Sequence, residues 1–266
     1  MTPRVTVIMA TYNWSTVLPY SIGSVLAQSF NDFELLVIGD GCTDDSEDVV
    51  RAIGDPRVEW INIPRIGHQS GPNNEGIRRA RGERIAYLGH DDLWMPDHLA
   101  LHLASDADFT CSVAALIAPE ASFIELTKPD AQFSRWVPPS SFMHRRSVST
   151  PWRHYRELSI APEVDLVRRM RQAGASTEVI PRITVVKFPA SQRRNVYRRR
   201  PAHEQASWLA RMRSEPGLEA KLAAQAVDGR FRRGLRLLLQ PSQWWAFIRR
   251  ARGSRIHAIN KYKGVD

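Results

Sequence analysis

Short β-branched runs alternate with helix-patterned segments from the start of this 266-residue chain, and that alternation admits few folds. It is the pattern of βαβ units building a mostly parallel sheet. Residues 5–10, 33–38, 58–63 and 84–88 read as the first four strands. Between them, Val17, Leu18, Ile22, Val25 and Leu26 form one apolar stripe of a helix, with Ser15 as its N-cap and Pro19 tolerable only near its first turn. Residues 47–53 read as a short helix capped by Ser46, followed by helices at 71–81 and 95–105. Beyond residue 108 the pattern loosens into strands at 109–118, 142–146 and 184–188, with one clear helix at 162–173 closed by Gly174.

Charge divides the chain where pattern does not. Residues 1–190 hold 19 Lys/Arg and 23 Asp/Glu, whereas residues 191–266 hold 18 and 5. The second segment is broken by Pro201, Pro216 and Pro241 and pairs Trp244, Trp245, Phe247 and Ile248 with Arg249, Arg250, Arg252 and Arg255. Cationic side chains beside Trp on amphipathic helices suit an anionic membrane surface, and the same apolar stripe equally suits docking on the rest of the protein. Two cysteines, Cys42 and Cys111, exclude a disulfide framework and a cysteine-rich zinc site. Apolar runs stay far below the ~18–20 residues that span a bilayer, and the first strand is too short and β-branched for a signal-peptide core. The expected location is cytoplasmic, either free or peripheral on the inner face of the membrane.

In open α/β sheets ligands bind beyond the carboxyl ends of the strands. Thr11-Tyr12-Asn13, Asp40 and Asp91-Asp92 all fall there. Because strand residues alternate sides, one of two adjacent carboxylates can face a sugar and the other a cation. Hard divalent ions take one or two carboxylates together with substrate phosphates.

Four segments then appear in a telling order: residues 5–13, residues 36–46 with Gly39-Asp40-Gly41, residues 71–77 with Pro72-Asn73-Asn74, and residues 85–96 with Gly89-His90-Asp91-Asp92. In that order they resemble the GT-A catalytic domain of glycosyltransferase family 2. The fold so implied is α/β, a Rossmann-like, mostly parallel sheet flanked by helices, with a basic helical appendage at the C-terminus. The domain would occupy residues 1–190, its donor half 1–105 and its acceptor half 106–190, and residues 191–266 would form the appendage.

The resemblance implies an inverting transferase that takes a nucleotide-diphosphate-sugar donor and a divalent metal, Mg²⁺ or Mn²⁺. Thr11, Tyr12, Asn13 and Asp40 would hold the nucleoside, with His68 and Asn73 reaching the nucleotide. Asp91 would touch ribose or donor sugar, and Asp92 would bind the metal that bridges to the diphosphate. The general base would be Glu163, the acid at the start of Pro162-Glu163-Val164-Asp165-Leu166, with Asp165 in reserve. Gly39, Gly89 and Asn73 depart from the family, which often has acids at the first two positions and Arg at the third. The acceptor would be a glycan or lipid-linked hydroxyl, and nucleic acid is disfavoured as a partner. The rival reading is a catalytically degenerate GT-A protein that binds a membrane surface or nucleic acid through its tail.

Overall fold

The computed structural model describes residues 2–121, 123–189 and 203–226. Their strands form one nine-stranded mixed sheet flanked by helices. The first half is the expected βαβ layout: β1 (Val5–Thr11), α1 (Leu18–Leu26), β2 (Phe33–Asp40), α2 (Ser46–Arg51), β3 (Val58–Ile63), α3 (Ser70–Arg79) and β4 (Arg84–Tyr87). The strands β3, β2, β1 and β4 are all parallel. Beyond β4 the chain continues through β5 (Leu93–Trp94), α4 (His98–Leu103), β6 (Phe109–Ile117), β7 (Ile124–Thr127), β8 (Phe142–Arg145), α5 (Pro162–Gln172) and β9 (Thr177–Lys187). Here β8 runs antiparallel to both β4 and β6, and β9 lies parallel to β6, which gives the order β3-β2-β1-β4-β8-β6-β9-β5 with β7 paired antiparallel to β6 off this path. A crossover helix keeps strands parallel in the first half, and β7 and β8, which return without one, enter antiparallel.

Alternation along β1 and β2 sorts the core. Val5, Val7 and Met9 with Leu35 and Val37 pack against Leu18, Ile22 and Val25 of α1 on one face. Ile8, Leu36 and Ile38 turn to the other face, where Tyr87, Phe142, Trp152, Leu166 and Met170 close the layer. A third cluster seats Trp208, Leu209 and Met212 of α6 (His203–Ser214), and Leu218 and Leu222 of α7 (Leu218–Gln225), against Leu93, Val186 and Phe188. Arg182 and the Ile183 N–H both bind Glu219, fixing α7 to β9. Part of the basic segment is therefore packed on the sheet. Residues 227–266, including Trp244 and Trp245, lie outside the described residues.

Several local expectations change. Ser15 does not cap α1, whose N-cap is Val17; its hydroxyl instead donates to Asp45 at 2.7 Å. Ser46 is the first residue of α2 and donates to Asp44 at 2.6 Å, the cap position falling to Asp45. The strand expected at 184–188 begins at Thr177, because Pro181 and Arg182 fall in a register shift between the Ser112–Ile180 and Val113–Ile183 pairs. A bulge is where a strand tolerates Pro, since no ladder N–H is needed there.

Candidate functional site

The carboxyl ends of β1, β2 and β4 meet along one edge. Thr11 closes β1, and its buried hydroxyl bonds His90 Nδ1 at 2.9 Å, tying β1 to the segment after β4. Asn13 adopts a left-handed φ of 44°, a region Asn enters more readily than other non-glycine residues. Its Oδ1 accepts from the Thr43 and Asp44 N–H groups at 2.8 and 3.3 Å, so it holds the loop after β2. Asp40 accepts from the N–H groups of Ile66 and Gly67 at 2.7 and 2.8 Å. That pins the loop after β3 and sets the Arg65 guanidinium 3.5 Å over the Tyr12 ring. Asp40 is thus turned to a loop, and Tyr12 already carries a cation on one face. An acid does not fit at Gly39, where a Cβ would lie 2.7 Å from Asn62 Oδ1 and 2.9 Å from the Trp60 ring.

Asp91 and Asp92 follow β4 and precede β5, and the alternation of their side chains gives them different surroundings. Asp91 is 8% exposed, and its carboxylate accepts no hydrogen bond from the described residues; its backbone carbonyl meets Gln205 of α6. Asp92 is fully buried. Lys187 Nζ donates to Asp92 Oδ1 at 3.1 Å and to Oδ2 at 2.9 Å, and Ser140 Oγ donates to Oδ2 at 2.5 Å. Burial pushes the Asp92 carboxyl up to about 6, with Lys187 pulling against it. Burial also works against the Lys187 ammonium, but Asp92 and Asp91 outweigh it and hold lysine above its usual range. At neutral pH the two are an ion pair.

Across the crevice, Glu163 sits in the first turn of α5, 8% exposed, and accepts from Gln69 Nε2 at 2.9 Å. Burial raises its pKa above the ordinary glutamate value, against its own N–H, Gln69 and Lys187. Asp165 is engaged elsewhere, by Arg169 at 2.8 Å and Arg153 at 3.9 Å. His68 Nδ1 accepts from the Ser70 N–H at 3.1 Å, and its ring packs 4.6 Å from His154 and 5.1 Å from Tyr155. Burial and His154 lower its pKa to about 4, so it is neutral. Asn73 is buried in α3. The neighbouring Asn74 clamps the Trp152 backbone, and Trp152 is 2% exposed, a core residue. His144 bonds Tyr87 and the Arg145 carbonyl within the core, and Arg145 pairs with Glu83 and Asp108, so neither joins this crevice.

The matched model, described as glycosyl transferase family 2, covers residues 6–155, more than half of the chain. The chain belongs to glycosyltransferase family 2. Among its relatives, the succinoglycan biosynthesis protein ExoO of Rhizobium meliloti is 40% identical over 97 residues, 36% of this chain and 28% of that protein. The UDP-Glc:alpha-D-GlcNAc-diphosphoundecaprenol beta-1,3-glucosyltransferase WfgD of Escherichia coli is 31% identical over 100 residues, 38% of this chain and 40% of that protein. The chain thus matches less than half the length of these curated relatives. Among solved structures, S. aureus TarS aligns with a TM-score of 0.56 at 15% identity, over 82% of this chain and 41% of TarS. The mannosyltransferase PcManGT of Pyrobaculum calidifontis, in complex with GDP-Man and Mn²⁺, aligns with a TM-score of 0.53 at 18% identity, over 74% of this chain and 59% of that one. At such identities the likeness speaks for the fold, as the family assignment predicts.

Asp92 is poorly placed to hold a divalent metal. Among the described residues no group of three or more His, Cys, Asp or Glu side chains is placed to hold one. Both oxygens of Asp92, the expected ligand, already accept from an ammonium and a hydroxyl. Sequence reading passed over four participants: Lys187, Ser140, Gln69 and Arg65. Only Lys187 carried a local signal, as a lone charge closing the apolar run Ile183-Thr184-Val185-Val186. Its partner follows from register: Leu93 pairs antiparallel with Val186, so the next position on each strand sets Asp92 beside Lys187.

Proposed function

We propose that this chain transfers a sugar from a nucleoside-diphosphate donor to an acceptor hydroxyl with inversion, Glu163 serving as general base. The observation that supports the reading is at the carboxyl-end edge of the sheet, where Asp91 and Asp92 follow β4 and Gln69, just before α3, donates to the buried Glu163 at 2.9 Å. Family membership supplies the reaction class. The acceptor is proposed to be a glycan or a lipid-linked sugar, by analogy with the diphosphoundecaprenol-linked substrate in the name of WfgD.

In this mechanism residues 1–105 bind the donor and residues 106–190 present the acceptor. The nucleoside lies across Thr11, Tyr12 and Asn13, near Asp40, His68 and Asn73, and Asp91, whose carboxylate accepts no hydrogen bond from the described residues, meets ribose or sugar. The acceptor oxygen bonds to the anomeric carbon as the bond to the β-phosphate oxygen breaks, and that oxygen keeps the electron pair. Glu163 takes the acceptor proton, a hydroxyl being a poor nucleophile until that proton leaves. A raised pKa suits the task, because it makes Glu163 a stronger base than an exposed glutamate. No step is routed through a metal.

The test is release of nucleoside diphosphate from UDP-, GDP-, dTDP- and CDP-sugars, with and without GlcNAc-diphosphoundecaprenol. Acceptor-dependent release from one donor class, lost in Glu163→Gln, is the expected result. Full activity in that variant would remove Glu163 from the mechanism.

A further inference from the structure

We infer that Lys187 is a built-in counter-cation for the donor diphosphate, and that donor binding by this chain proceeds without a divalent metal. The inference rests on the donor reading above and concerns how that site handles phosphate charge.

Three observations carry it. Lys187 is anchored rather than wandering: its Nζ donates to Asp92 Oδ1 and Oδ2, at 3.1 and 2.9 Å. The described residues accept nothing else from it. Its side chain is 18% exposed, against 0% for Asp92, so the ion pair meets the surface on the lysine's side, and Asp91 and Glu163 add to the negative charge that the ammonium feels. An ammonium so placed offers a phosphate oxygen one charge-assisted hydrogen bond from a cation that needs no further ordering.

Asp92 is also closed to a metal. Ser140 Oγ donates to Asp92 Oδ2 at 2.5 Å while accepting from the Gly89 N–H at 3.0 Å, so the carboxylate is held by a relay from the strand end. A metal on Asp92 would set two cations side by side and strip a largely buried ammonium of its partner, a costly exchange.

Position 89 completes the case. A Cβ there would lie 2.9 Å from Asp92 Oδ2, so a larger side chain displaces the carboxylate from Ser140 and Lys187. Glycine keeps the ion pair intact and leaves the crevice one acid short of a stronger metal site. A site with fewer carboxylates needs less positive charge to admit a diphosphate, and a monovalent ammonium supplies it.

The experiment uses the full chain and measures binding of UDP, GDP, dTDP and CDP by calorimetry, in EDTA and in Mn²⁺. The nucleotide that binds is then compared with its own monophosphate. Wild type is expected to bind one diphosphate in EDTA, with Mn²⁺ changing its affinity less than threefold. Lys187→Met is expected to weaken the diphosphate about ten- to a hundredfold, the usual worth of a hydrogen bond to a charged group, while sparing the monophosphate. Equal loss of both nucleotides would mark Lys187 as structural and overturn the inference. So would wild-type binding that vanishes in EDTA and returns with Mn²⁺, a result that leaves the donor reading standing. No binding of any nucleotide under either condition would overturn the donor reading, and this inference with it. If Lys187→Met fails to fold because Asp92 is left buried and unpaired, the double variant Lys187→Met/Asp92→Asn removes both charges together. It is expected to show the same selective loss.

Discussion

Asn74 offers the sharpest check on how the crevice is braced. Its Oδ1 accepts from the Trp152 N–H at 2.7 Å and its Nδ2 donates to the Trp152 carbonyl at 2.9 Å, across 78 residues of chain. Trp152 is 2% exposed and packs edge-on to Tyr87 at 5.3 Å, so Asn74→Ala leaves both backbone groups without partners and with little access to water. An unpaired buried polar group costs about 1–2 kcal/mol at a partly buried site, which puts the loss at roughly 2–4 kcal/mol for the pair. At about 2–4 °C per kcal/mol for a chain of this size, the midpoint should fall by roughly 5–15 °C. The assay is urea and thermal unfolding followed by circular dichroism, with Glu75→Ala as the control. Glu75 is one residue on and pairs with Arg78 and Arg79 on the surface of α3, so its loss should cost less than about 1 kcal/mol. Asn74→Ala within about 0.5 kcal/mol of wild type, or no worse than the control, would refute the clamp.

Glu163→Gln should lower kcat by about 10²–10⁴-fold, the usual contribution of a general base. The same variant should melt no lower than wild type at pH 7. A carboxyl whose folded pKa is raised binds its proton more tightly in the native state, so its charged form opposes folding above that pKa; a neutral Gln escapes this and can still accept from Gln69. The acid limb of kcat/KM should turn over above 4.5, the ordinary glutamate value, and should vanish in Glu163→Gln; an unchanged limb would assign it to another group. Gly39→Asp should destabilise by about 1–3 kcal/mol, since its Cβ meets Asn62 and Trp60 inside van der Waals range, and a stable Gly39→Asp chain on unfolding would show that this pocket yields.

The first half of the fold was legible because its signals are local. In β1 and β2 the burial is continuous, so β-branched runs of the right length marked the strands, and the stripe of α1 marked the helix between them. Caps were harder to read, because Ser15 and Ser46 found carboxylates in the loop after β2 that competed with the helix ends. β5 is two residues long and β9 carries Pro181 through a bulge, so neither shows the length or alternation by which strands are recognised.

The site divides in the same way. Motif order pointed to the crevice, to Asp91 and Asp92 behind one strand, and to Glu163 behind Pro162, because each is a matter of neighbours along the chain. What each group does there was decided by contacts 26 to 114 residues apart. Gln69 reaches Glu163, Asp40 turns to the loop that carries Arg65, and Gln205 of α6 meets the Asp91 carbonyl. Above all, the β5–β9 register brings Lys187 to Asp92 over 95 residues and turns an expected metal ligand into half of an ion pair. The sequence by itself settles which residues can take part, since hydrophobic period and turn chemistry are written locally. Only the tertiary structure settles partners, because a carboxylate's chemistry depends on the charge that burial places beside it.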